Sequence, residues 1–166
     1  MTYIDIEGAA RANPVDVIEH IAALSDWSFE RSADDEITIS THGSWCDYHV
    51  SFSWMPECEA LHLACAFDLK VTDPRKTEVL RLLALVNERM LIGHFDLWTE
   101  ESIIMYRHGL LLAGGVEPTV RQVEAMLDGA LETCEQYYQA FQFVMWGGKS
   151  AAEALEVALF EVAGEA

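Results

Sequence analysis

His42, Cys46, His49 and His62 lie close together in the chain, and these residue types bind divalent metals or move protons near neutral pH. Strand parity decides which of them can act together. On an extended segment Cys46 turns to the apolar face with Tyr48 and Val50, whereas His49 turns away with Asp47 and Ser51. Cys46 and His49 therefore do not share a metal. His49 and His62 are expected on one outer face as diagonal neighbours across a hairpin, with Asp47 and Asp68 nearby. Asp47, His49, His62 and Asp68 form the candidate for a weak metal-binding or pH-sensitive patch. The plainer reading is that they are surface residues without a fixed third ligand.

Other chemistry is thinner. The chain has no G-x-S-x-G elbow, no H-E-x-x-H and no Walker loop. Gly114-Gly115 lacks the further glycines and the lysine of a phosphate cradle. Cys134 shares a helical stripe with Leu131 and Tyr138, where a cysteine acts as a small inert hydrophobe. Asp34-Asp35-Glu36 and Glu100-Glu101 read as solvated turns. Asp96 and Arg107 are placed to form a diagonal ion pair that holds orientation rather than an acid–base dyad. No catalytic, cofactor-binding or metal-ligating set is assigned, and no cofactor is expected.

Ten Lys+Arg against 28 Asp+Glu give a formal charge of −18, which repels nucleic-acid phosphates and anionic lipid heads and favours basic partners. The five tryptophans (Trp27, Trp45, Trp54, Trp98 and Trp146) have no basic residues interleaved for stacking on bases. Trp45 is expected on the outer face with His49, and Trp146 at the end of a long helix. Neither nucleic acid nor membrane is expected as a partner. Four cysteines without C-x-x-C spacing, no basic-then-apolar leader and no long apolar run point to a cytoplasmic protein with reduced thiols.

Positioning these residues requires a mixed α and β framework, read as one domain over residues 1–166 with residues 1–12 loosely held. Asn13-Pro14 signals a helix start, and Val17, Ile18, Ile21 and Leu24 keep helical spacing to Leu24 or Ser25. A four-strand antiparallel meander follows. A loop at Ser32-Ala33-Asp34 sets Trp27 opposite Ile39 and Phe29 opposite Ile37. A turn at His42-Gly43 sets Ile39 opposite Cys46 and Ile37 opposite Tyr48. A turn at Met55–Cys58 sets Phe52 opposite Leu61, Val50 opposite Leu63 and Tyr48 opposite Cys65. All three registers gather apolar residues on one face.

Asp73-Pro74 then starts a helix that buries Val79, Leu82, Leu83, Val86 and Met90 and ends near Leu91 to Gly93. His94–Trp98 and Ile103–Arg107 form a hairpin with Leu97 opposite Ile104 and Phe95 opposite Tyr106. Its other face carries Trp98, Ile103 and Met105, apolar enough to be a candidate protein-interaction surface. Glu117-Pro118 opens a helix of about 28 residues, roughly 42 Å long, stopped by Gly147-Gly148. Ser150–Glu153 has capping-box spacing for a last short helix through Leu155, Leu159 and Val162.

The segments LLALVNERMLIGHFDLW, MYRHGLLL and ALETCEQYYQAFQFVMWGGKSAAEAL resemble the YbjN family of bacterial proteins over roughly residues 14 to 160. The marks are Asn87, Gly93 and Phe95 at the helix-to-hairpin junction, Tyr106-Arg107 in the second hairpin strand, and Tyr138 and Phe141 in the final helical run. The resemblance implies an α+β fold similar to type III secretion chaperones, usually homodimeric, and a role in regulating sensory transduction with no established reaction. It carries over no functional residues. The expectation is a non-enzymatic, chaperone-like or regulatory module with a protein partner or client and a second copy of itself. The alternative is a small-molecule or metal-dependent enzyme using the His/Asp patch.

Overall fold

A computed structural model describes residues 12–164 of the chain, with side chains through Phe160. The expectation for residues 1–12 lies almost wholly outside the described residues, as does the side chain of Val162. The elements in chain order are α1 (Pro14–Leu24), β1 (Ser28–Ala33), β2 (Glu36–His42), β3 (Asp47–Met55) and β4 (Ala60–Lys70). A single 3-10 turn (Asp73–Arg75) leads into α2 (Lys76–Asn87), followed by β5 (His94–Trp98), β6 (Ile103–Leu111), α3 (Val120–Met145) and α4 (Ala151–Gly164). The meander and the hairpin merge into one six-stranded antiparallel sheet of order β1-β2-β3-β4-β6-β5.

Helices pack on one face of this sheet: α1 on β1 to β3, α2 on β5, and α3 on β4 and β6. The core is built from the inward residues of every central strand, among them Ile37, Val50, Phe52, Leu63 and Ile104. Phe67, Phe95, Tyr138 and Phe141 meet at tilted and edge-to-face ring contacts, with centroids 5.0 Å apart for Phe67 and Tyr138. The opposite face carries short side chains: Thr38, Ser40, Ser51, Ser53, Ala64, Ala66 and Gly109.

The expected hairpin registers are corrected by even numbers of residues. Phe29 faces Ile39 and Arg31 faces Ile37, because the tight turn is Asp34-Asp35 and a bulge at Ser32 takes up the slack. Arg31 fixes that turn, donating to Ala33 O at 2.7 Å, to Glu19 at 2.8 Å and to Asp16 at 2.9 Å. Ile39 faces Val50 rather than Cys46, since Gly43–Cys46 is a four-residue loop closed by Gly43 N–H donating to Cys46 O at 2.8 Å. Glu135 on α3 holds this loop by accepting from the Ser44 N–H at 2.9 Å. A Cβ at Gly43 would collide with Glu135 and with the Tyr48 ring, so this backbone approach requires glycine. Val50 faces Cys65 and Phe52 faces Leu63, because the turn opens to Pro56–Glu59 with Glu59 at φ 50°.

The hairpin pairs Phe95 with Tyr106 and Leu97 with Ile104, as the sequence predicts, but β6 runs on to Leu111. The second helix starts later than expected, after the 3-10 turn that follows Thr72, and stops earlier, at Asn87. Its last side chain explains the stop: Asn87 Nδ2 donates to Phe95 O at 2.9 Å, and Phe95 N–H donates to Asn87 Oδ1 at 2.8 Å. The carboxamide thus behaves as a one-residue neighbouring strand for β5. The long helix begins at a capping box, Thr119 with Gln122, rather than at Glu117-Pro118; its 26 residues span about 39 Å. Arg75 donates to Val144 O and Lys149 O, both at 2.7 Å, and Glu78 accepts from the Ala151 N–H at 2.9 Å. The first turn of α2 therefore clasps the α3–α4 connection.

Candidate functional site

The structure does not bring the His/Asp patch together. His62 pairs with Ser53, which lies four residues along β3 from His49, about 13 Å at roughly 3.3 Å per residue. The two-residue register change is what separates them. Each side chain has local partners instead: His49 Nδ1 meets Ser40 Oγ at 2.8 Å, and His42 Nδ1 meets Asp47 Oδ1 at 2.6 Å. Asp68 sits in the irregular stretch of β4 between Ala66 and Lys70. Among the described residues, no three His, Cys, Asp or Glu side chains converge as metal ligands would.

His62 belongs to a different chain of contacts. Arg107 Nε donates to His62 Nε2 at 3.1 Å, and Arg107 Nη1 donates to Asp96 Oδ2 at 3.2 Å, completing the expected Asp96–Arg107 pair. Burial and then the Arg107 charge push the His62 imidazole below its ordinary range; burial does the same for His108.

The thiols are arranged for packing. The hydrogen bond with Cys65 and burial push the Cys134 thiol far up, and burial raises Cys46. Neutral thiols of this kind are poor nucleophiles. Tyr48 reaches into the same region; among the described residues its buried hydroxyl meets no partner at hydrogen-bonding geometry, and burial and then the adjacent Glu135 push its ionisation up.

Two surface features stand out. The first is the exposed edge of the sheet at β5. Trp98 is 43% exposed and pairs with a half-buried Ile103, while Leu91 and Ile92, just before the strand, are 97% and 62% exposed. Met105, expected on this surface, is only 6% exposed. Because β6 is flanked by β4 as well as β5, Met105 has Ala66 on one side and Asp96 on the other. Trp45, expected on the outer strand face, instead sits exposed in the Gly43–Cys46 loop, and Trp146 caps the end of α3.

The second feature is a cavity of about 470 Å3 where the start of β1, the end of β2 and the first half of α3 meet. Trp27, Ile39, Leu127 and Leu131 supply its apolar wall; Asp26, Asp47 and Asp128 supply carboxylates. Asp26 and Trp27 are aimed by the end of α1. Trp27 N–H donates to Ala22 O at 2.9 Å and Asp26 N–H to Ala23 O at 3.4 Å, the paired bonds of a Schellman stop, with Asp26 at φ 58°. Little in the local pattern signals this site, because the helix stop lacks the usual glycine and the α3 wall comes from far along the chain.

Among the described residues no helix is long and apolar enough to cross a membrane. A family model for YbjN, described as "Putative bacterial sensory transduction regulator", matches residues 14–143. Among solved structures, the chain is similar to YbjN from E. coli, with 10% identity over 89% of this chain and 93% of that one and a TM-score of 0.55. It also matches a chain of the HopA1–SchA chaperone–effector complex, with 12% identity over 71% of this chain and 87% of that one and a TM-score of 0.48. A chain of the ExsC–ExsE complex matches with 17% identity over 75% of this chain and 92% of that one and a TM-score of 0.49. Curated protein sequences give no match. The family match runs from the first turn of α1 almost to the end of α3, and spans the junction where Asn87 bonds the backbone of Phe95 and Phe95 packs on Tyr106; the chain belongs to the YbjN family.

Proposed function

We propose that this chain is a non-enzymatic protein-binding module that works as a chaperone-like or regulatory homodimer. The observation that carries this reading is the β5 edge. Leu91 and Ile92 stand exposed before the strand and Trp98 with Ile103 lies at its far end, so the outer edge of β5, where Asn87 already takes the Phe95 backbone groups, is flanked by apolar anchors. Exposed apolar anchors on either side of a strand suit a second copy of the chain or a client segment laid across them. The acidic surface keeps the module soluble and favours basic clients. Family membership agrees with a regulatory role, and the wide separation of His49 from His62 removes the geometry that an enzyme built on them would need.

Sedimentation equilibrium tests the dimer. Wild type is expected to dimerise at micromolar concentration, and the Leu91→Ser, Trp98→Asp variant to weaken that association at least tenfold, because exposed aromatic and aliphatic anchors dominate such contacts. Both positions are exposed, so the variant is expected to fold with an unchanged circular dichroism spectrum. A wild type that stays monomeric at high concentration removes the homodimer. Affinity capture from the native cell, compared between wild type and the same variant, tests the client.

A further inference from the structure

The cavity beside Trp27 has a chemistry distinct from that of the β5 edge. Its rim is partly self-satisfied, since His42 bonds Asp47 and His49 bonds Ser40. Asp26 and Asp128 make no side-chain hydrogen bond or ion pair among the described residues, yet both line the same concavity. No lysine or arginine lines it among the described residues. Trp27 is partly buried, packs against the core and lines the cavity together with Ile39, Leu127 and Leu131.

An indole face and unpaired carboxylates attract a cation, and an aliphatic wall suits the methylene stem that carries one. The volume of about 470 Å3 lies within the roughly 300–1,000 Å3 of pockets that enclose a ligand. β2 runs two residues past Ser40, which faces the first residue of β1, so the cavity opens at the end of a strand edge rather than within a closed core. A chain approaching that edge can insert one side chain while its backbone remains outside.

We propose that this cavity seats an arginine or lysine side chain of a bound protein segment. The assignment rests on the protein-binding reading above and makes the preference for basic clients a matter of one pocket rather than of net charge alone. A dispersed negative surface would attract any cation weakly and without order. This site instead selects a cation on an apolar stem.

The test is a titration of the isotopically labelled full chain with N-acetyl-arginine amide, reading the Trp27 indole N–H by nuclear magnetic resonance. N-acetyl-citrulline amide serves as the isosteric neutral control. A saturable Trp27 shift is expected with the arginine probe and none with the citrulline probe. Asp128→Asn is expected to weaken binding about three- to fivefold, the upper range for an exposed ion pair. Asp26→Gly should weaken it similarly while preserving the helix stop, since glycine accepts φ 58° without strain. Shifts that scatter over the surface without saturating, or equal responses to both probes, would overturn the site. So would binding unchanged by Asp128→Asn. The protein arm separates the two readings. A captured client whose affinity ignores Asp128→Asn removes the pocket and leaves the module. A saturable arginine site in a chain that captures no client reassigns the cavity to a free amine and overturns its proposed occupant.

Discussion

Tyr48 shows how a single residue can hold two roles in conflict. Its ring is fully buried among Phe67 and Tyr138, 6.5 and 6.4 Å away by centroids, where it packs productively. Its hydroxyl lies beside Cys46 and Glu135, yet among the described residues none meets it at hydrogen-bonding geometry. An unmet buried hydroxyl costs about 1–3 kcal/mol, whereas the ring's packing does not depend on the oxygen. Tyr48→Phe is therefore expected to stabilise the fold by about 1 kcal/mol in urea denaturation. A loss of stability would mean that the hydroxyl has a partner after all. The sequence places Tyr48 inward by parity alone; the lack of a partner depends on where Glu135, far along the chain, meets the loop, and no local pattern encodes that.

At the level of elements, alternation and turn geometry carry different information. Alternation fixes which face a residue takes, so Ile37, Val50, Leu63 and Phe95 all point inward as the pattern demands. Register is set by turns, and each expected turn is displaced for a tertiary reason: Arg31 ties one to α1, Glu135 pins the next, and Glu59 in a left-handed conformation widens the third. Every displacement is even, which preserves faces while moving partners. The His49–His62 patch fails for this reason: its face is right and its spacing is not. The cavity beside Trp27 was illegible for a related reason, since its walls come from α3 as well as from the strands. The hold on β5 yields a direct prediction. Asn87→Ala leaves the Phe95 N–H and C=O without their carboxamide partner, at a cost of about 1–2 kcal/mol. The expected result is a melting temperature lower by about 2–8 °C, given roughly 2–4 °C per kcal/mol at this size. Hydrogen exchange should accelerate first at Phe95.

The whole molecule responds to pH through two partly buried imidazoles. His62 and His108 are both held below the ordinary imidazole value of 6.5, so the unfolded chain binds their protons more readily than the folded one. Their contribution to stability is complete above that value and is lost as pH falls through it toward their folded values. The urea midpoint is expected to fall between pH 7.5 and 5.5. In the His62→Gln, His108→Gln double variant that slope should flatten. An equal slope in the variant would assign the effect to other groups.

The two faces of the sheet also differ in what they let the sequence do. Inward side chains and the Asn87–Phe95–Tyr106 junction are bound to one another by packing and backbone bonds, so each constrains its neighbours. The outer face is tied more lightly, by single side-chain bonds such as Thr38 with Ser51 and Ser40 with His49, and a Cβ at Gly109 would meet nothing. Substitution on that face is therefore expected to cost the scaffold little.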